Sequence, residues 1–252
     1  MNAIYEPKGA AREYAPFALN LYAECSHGCT YCYAPAVLRK TRDQFACVSP
    51  RGGILDALKT DLKKSVPKET VLLSFTSDPY QPAELKHRMT RQALEIMDGI
   101  VPKVAILTKN TNVREDFDII ARNGWTVGTT LSCATDATAA KYEPCAPTPN
   151  ERIEMLKDAE KLGIKTFVSM EPIISVEEMP AVFSKLGKMT LANGVRIGKW
   201  NHSAEASKTI DWNLVLKLAL NFAETVPYPV YIKDELAKYG DVPTKFRRSI
   251  FG

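Results

Sequence analysis

Cys25, Cys29 and Cys32 stand in the spacing C-x3-C-x2-C, inside the stretch CSHGCTYC. Three thiolates this close in sequence can hold three corners of one [4Fe–4S] cube, whereas such clusters normally take four cysteines. No fourth cysteine follows at cluster spacing; the others are Cys47, Cys133 and Cys145. One iron would therefore stay open to a different ligand. Tyr31 and Tyr33 flank the last cysteine. A zinc site is the rival reading, with His27 as fourth ligand, but structural zinc sites pair two short knuckles and no second CxxC or HxxxH is present. Burial as small apolar residues is a third reading. The polar loop holding Gly28 between Cys25 and Cys29 does not read as core.

The rest of the composition bounds the answer. The chain has 252 residues, of which 45% are apolar and 25% charged, the mixture of an ordinary globular domain. A formal charge of +4 permits a nucleic-acid partner without demanding one. The first residues hold no apolar stretch of a secretion signal, and no run approaches the length of a membrane span. Six cysteines in such a chain read as reduced thiols. The expectation is one domain over 1–252, with a core at about 19–200 and a C-terminal extension at about 201–252. It is expected to be monomeric, cytoplasmic and free of the membrane.

The elements that must position these residues alternate. Residues 19–23 lead into the cysteine loop, and 54–66 carry apolar residues at helical spacing. Strands are expected over 71–75, 104–107, 125–131, 166–170 and 195–197. Helices are expected over 91–97, 117–121, 176–186 and 212–225, the last followed by the apolar run 229–232. Thr148, Pro149 and Glu151 open a further helix, with Thr148 as N-cap, Pro149 in the first turn and Glu151 closing a capping box. About six strand–helix units predict an α/β fold with a parallel sheet, an open partial (β/α)6 barrel.

Chemistry in such barrels sits at the C-terminal ends of the strands. Polar residues fall at those ends: Thr76-Ser77-Asp78, Thr108-Lys109-Asn110, Thr130 with Ser132 and Cys133, Glu171, and Lys199-Trp200-Asn201-His202. Turns favour such residues anyway; five sets at matching ends favour a site.

The cysteine spacing and its tyrosine flanks resemble the signature of the radical S-adenosylmethionine (SAM) superfamily. CSHGCTYCYA, LSFTSDPYQPAE, ILTKN, YEP and MEPII together are similar to its spore photoproduct lyase-like branch, over roughly residues 19–174. The resemblance implies that Cys25, Cys29 and Cys32 bind a [4Fe–4S] cluster whose open iron chelates SAM, and that the reduced cluster cleaves SAM to a 5′-deoxyadenosyl radical. It implies Tyr31 and Tyr33 beside the cluster and SAM, and Ser77, Asp78, Lys109 and Thr130 as SAM contacts; Glu171, at the next strand end, is a further cofactor-binding candidate. An external electron donor of flavodoxin or ferredoxin type would then be needed.

The resemblance breaks at one position. The lyase carries a hydrogen-donating cysteine just before its Thr-Ser-Asp; here that residue is Phe75. Cys133 is the candidate substitute, with Lys199 and His202 as further candidates for catalysis. A rearrangement would need no outside donor. The expected function is thus a radical SAM isomerase acting on a modified thymine or pyrimidine in DNA, of the kind used in phage thymidine hypermodification, working in the host cytoplasm. Alternatives are lyase-type DNA repair, modification of a small molecule, RNA or protein, and a metal-containing nucleic-acid-binding protein.

Overall fold

The parallel strands of this chain are largely buried on both faces. In the computed structural model, which describes residues 2–201 and 203–248, the strands are β1 (Ile4–Tyr5), β2 (Phe17–Leu19), β3 (Val71–Leu73), β4 (Val104–Leu107), β5 (Thr126–Thr130), β6 (Lys165–Met170), β7 (Val195–Ile197) and β8 (Val230–Ile232). They form one sheet in chain order. β1 pairs antiparallel with β2, and every later pair is parallel. No pairing among the described residues joins β8 back to β1, so the barrel is open.

Outward residues such as Val71, Leu73, Ile106, Val127, Val168 and Ile197 pack in one large core beneath the helices. Inward residues form a second cluster of Leu72, Ala105 and Phe167, entered by Tyr14 and Ala15. Gly128 is on the inward face because nothing larger fits: a Cβ there would lie 2.3 Å from the Phe167 ring. Period-two alternation thus serves two cores, as parallel strands buried on both faces require.

The helices obey their sequence signals. Ile54–Lys64 buries Ile54, Leu58 and Leu62, one stripe at i, i+4, i+8. Pro149–Lys161 begins with the expected capping box. Glu151 N donates to Thr148 Oγ1 at 3.3 Å, and Thr148 N donates to Glu151 Oε2 at 2.7 Å. Trp212–Thr225 has its expected bounds.

The open partial barrel expected from sequence is present, with more strands than six units supply. The lead-in strand is Phe17–Leu19 rather than 19–23, and the apolar run at 229–232 is β8, which extends the parallel sheet. Among the described residues no helix is long and apolar enough to cross a membrane.

Candidate active site

The cysteine loop has little regular structure of its own, so it is tied down by its neighbours. Cys25 N donates to Phe45 O at 3.2 Å, and Thr30 N to Tyr142 O at 2.9 Å. Ser26 N donates to Gln81 Oε1 at 2.9 Å, while Gln81 Nε2 donates to Glu24 O at 2.9 Å. Arg42 closes the far side, donating to the carbonyls of Cys29 at 3.0 Å and Thr30 at 2.5 Å.

One buried ion pair couples this loop to the barrel. Arg152 and Glu143 meet at 2.6 Å with both side chains fully excluded from solvent. Arg152 also donates to Pro147 O at 2.8 Å and to Thr130 O at 3.0 Å, the end of β5. Glu143 accepts from the Tyr31 hydroxyl. Burial penalises the charge on Glu143, but Arg152 and then Lys109 outweigh it and hold its pKa below the ordinary carboxylate value. Burial and Glu143 push the Tyr31 phenol well above its ordinary value, so it stays a donor.

Asp78 is the second joint. Its Oδ1 accepts from Tyr80 N at 2.9 Å and Thr108 Oγ1 at 2.6 Å; its Oδ2 accepts from Lys109 N at 2.7 Å. His27 Nδ1 lies 3.5 Å from the same Oδ2. Burial lowers the pKa of His27 against the pull of Asp78, which favours the neutral ring.

These joints enclose a cavity of about 800 Å³ at the C-terminal ends of the parallel strands. Cys25, Cys29 and Cys32 are on its wall, with Tyr31 and Tyr33 between and beside them. Ser77, Asp78, Lys109, Thr130 and Glu171 reach it from successive strand ends, and Lys199, Trp200 and Asn201 from the end of β7.

The chemistry of this wall fits a cluster with an anionic organic ligand. Burial, then Asp78, pushes the Cys25 thiol up to about 12; burial pushes Cys29 to about 11. Both therefore carry protons until a metal displaces them. Among the described residues the buried Ser77 hydroxyl has no hydrogen-bond partner, which a ligand would supply. The Lys109 ammonium lies 5.5 Å from the centroid of the Tyr31 ring. Burial opposes its charge, yet Cys29 and Glu143 prevail and its pKa is raised. Among the described residues no three His, Cys, Asp or Glu side chains converge on a single ion.

Several expected residues are otherwise engaged. The Asp78 carboxylate is spent on protein donors. The Lys199 ammonium donates to Tyr239 Oη at 2.7 Å and lies 5.0 Å from the Trp212 and Tyr239 rings. Cys133 does not line the cavity. It is 1% exposed, packed with Ala139 and Ile174 against Tyr31, Tyr142 and Trp200, and burial pushes its thiol up to about 12. His202 lies outside the described residues.

Two cavity residues, Tyr14 and Lys233, have no sequence signal. Tyr14 lines the inner wall, its hydroxyl 2.6 Å from Ser169 Oγ and donating to Glu171 Oε2 at 2.6 Å. Lys233, buried, donates to Glu171 Oε2 at 2.7 Å, and Asn201 Nδ2 donates to Glu171 Oε1 at 3.1 Å. Phe75 meets the Tyr14 ring edge-on with centroids 5.8 Å apart.

Comparison with known proteins bears on this arrangement. No protein-family profile matches the chain. An uncharacterized protein of Methanocaldococcus jannaschii is 29% identical over 168 residues, covering 64% of this chain and 61% of its own. One from Acidianus two-tailed virus is 31% identical over 172 residues, covering 62% and 56%. The chain thus spans little more than half the length of these relatives. Among solved structures, a spore photoproduct lyase variant with bound AdoMet and dinucleoside spore photoproduct superposes with a TM-score of 0.60 at 16% identity, over 85% of this chain and 63% of that one. Streptococcus suis SuiB bound to S-adenosylmethionine gives 0.64 at 11%, over 88% and 51%. A radical SAM methyltransferase from Sphaerobacter thermophilus gives 0.56 at 12%, over 87% and 67%. The fold is that of radical SAM enzymes, spore photoproduct lyase among them.

Proposed function

We propose that this chain is a radical SAM enzyme that rearranges a modified thymine-type base, as an isomerase of thymidine hypermodification. The observation that carries the reading is one cavity wall holding Cys25, Cys29 and Cys32 beside the partnerless Ser77 hydroxyl and the Lys109 ammonium. When bound there, a [4Fe–4S] cluster and SAM would supply a 5′-deoxyadenosyl radical able to remove a hydrogen atom from a substrate carbon.

The chain's own residues have the following parts. The three cysteines would hold the cluster, beside Tyr31, which Glu143 fixes. Lys109 would attract the SAM carboxylate and Ser77 would offer its hydroxyl. Thr130 lies on the same wall, with Tyr33 at the rim. We assign Glu171, whose oxygens accept from Tyr14, Lys233 and Asn201, to the substrate half of the cavity. Phe75 and the edge of Tyr14 keep water from the reacting carbon.

Rearrangement rather than cleavage is supported by the thiols. Apart from the three cluster cysteines, no cysteine lines the cavity, and Cys133 is packed behind Tyr31 and Trp200. The hydrogen taken from the substrate would then be returned by 5′-deoxyadenosine, without a protein thiol. A DNA-type substrate is supported by the solved lyase with its dinucleoside photoproduct, and a phage-type setting by the viral relative. A flavodoxin or ferredoxin would supply the electron. Reaching a base within duplex DNA would require flipping it out, at a cost of a few kcal/mol.

SAM deuterated at its 5′-carbon tests the reading on DNA or nucleotides carrying modified thymine. Deuterium should enter the product, and Cys133→Ala should remain active. Loss of turnover in Cys133→Ala with SAM cleavage retained would instead favour lyase-type chemistry with a relocated donor. Failure of every nucleic-acid substrate to stimulate SAM cleavage would move the reading to a small molecule, RNA or protein.

A further inference from the structure

Asn201 is held in a way that selects a ligand's chemistry. It lies on the cavity wall and its Nδ2 donates to Glu171 Oε1 at 3.1 Å. A carboxylate only accepts, so the amide nitrogen is the end that must face Glu171. Glu171 cannot turn to release it. Its Oε2 accepts from Tyr14 Oη at 2.6 Å and from Lys233 Nζ at 2.7 Å. The backbone of Gly198 lies so close that a Cβ there would be 2.7 Å from Glu171 Cδ. The Asn201 carboxamide therefore has one orientation. Its carbonyl oxygen and second N–H make no hydrogen bond among the described residues.

A fixed carboxamide offers an acceptor beside a donor. The imide edge of thymine or uracil is its complement: N3–H donates to Oδ1, and the neighbouring ring carbonyl accepts the second N–H. Cytosine presents the reverse, an acceptor at N3 beside a 4-amino donor. A cytosine in the pose that brings its 5-position to the same place would pair only if the carboxamide flipped and aimed its oxygen at the Glu171 carboxylate.

We propose that Asn201 is the specificity-determining residue of the substrate half of the cavity, reading the imide edge of a thymine- or uracil-type base, and that Glu171 is the positioning residue that bars cytosine. This rests on the pyrimidine reading above and goes beyond it by naming the atoms that choose the base.

The test uses the cluster-loaded protein with SAM and two single-stranded pentanucleotides, one thymine or one cytosine flanked by adenines. Bidentate amide–base pairs discriminate on the order of tenfold to a hundredfold, so the thymine strand should bind more tightly by about that factor. Asn201→Ala should remove the preference while leaving SAM affinity and iron content unchanged. Glu171→Gln, which can donate to Asn201 Oδ1 and so lets the carboxamide turn, should erase or reverse the preference. Retained discrimination in both variants would overturn the assignment while leaving the pyrimidine reading in place. If neither strand binds a protein that still cleaves SAM, the pyrimidine reading falls and this inference with it.

Discussion

Glu143→Gln removes one charge from the buried pair that joins the cysteine loop to the barrel, and its effect can be worked out in advance. The shape of the side chain is kept. Arg152, with no solvent exposure, loses its counter-charge but keeps its carbonyl partners on Pro147 and Thr130. Stranding a buried charge costs about 3–5 kcal/mol. In a chain of this size each kcal/mol moves the melting temperature by roughly 2–4 °C. A fall of about 6–20 °C at pH 7 is expected in metal-free protein. The sign of the pH dependence follows from the lowered pKa of Glu143. Its stabilisation is fully present above the unfolded carboxylate value of about 4.3 and is lost as pH falls through the folded value. Thermal melts followed by circular dichroism from pH 7 down to pH 3 should therefore show the gap between wild type and variant closing. Replacing both partners, Glu143→Leu with Arg152→Met, should recover most of the loss. A variant melting within about 2 °C of wild type at pH 7, or a gap that does not narrow in acid, would refute the role given to this pair.

Other outcomes follow from the same geometry. Anaerobic reconstitution should load four irons and four sulfides per chain, and alanine at Cys25, Cys29 or Cys32 should lower both; stoichiometric zinc without sulfide would contradict the cluster. Lys109→Ala should weaken SAM binding by about 1.5–3 kcal/mol, the worth of a charge-assisted hydrogen bond, with the cluster absorbance intact; equilibrium dialysis with labelled SAM measures it. Gly128→Ala puts a methyl 2.3 Å from the Phe167 ring and should destabilise the fold by about 1–3 kcal/mol in urea titration, since neither partner has room to retreat.

Much of the cavity was legible because one rule acts at every strand. Parallel strands end on the same side, so Ser77, Lys109, Thr130 and Glu171 reach one wall although 94 residues separate the first from the last. The capping box at Thr148 was legible because its partners are three residues apart. What escaped was held by partners remote in sequence. Tyr14 reaches Glu171 across 157 positions, and Lys233 reaches it across 62; no periodicity encodes such pairs. Asp78 reads as a ligand contact because it ends a strand, but its oxygens are taken by three loops that it ties together. Lys199 reads as a catalytic candidate from its strand end, but its ammonium is held by Tyr239 Oη and lies against the Trp212 and Tyr239 rings. β1, of two residues, is too short for alternation to reveal, and β8 shows in the sequence only as an apolar run.

The central claim is that this cavity loads a cluster and SAM for radical chemistry. The direct test is to reduce the anaerobically reconstituted protein, add SAM, and quantify 5′-deoxyadenosine by mass spectrometry. Wild-type protein should form it, and Cys32→Ala should not. A wild-type protein that carries a complete, reducible [4Fe–4S] cluster and binds SAM yet releases no 5′-deoxyadenosine, with or without thymine-containing DNA, would contradict the account.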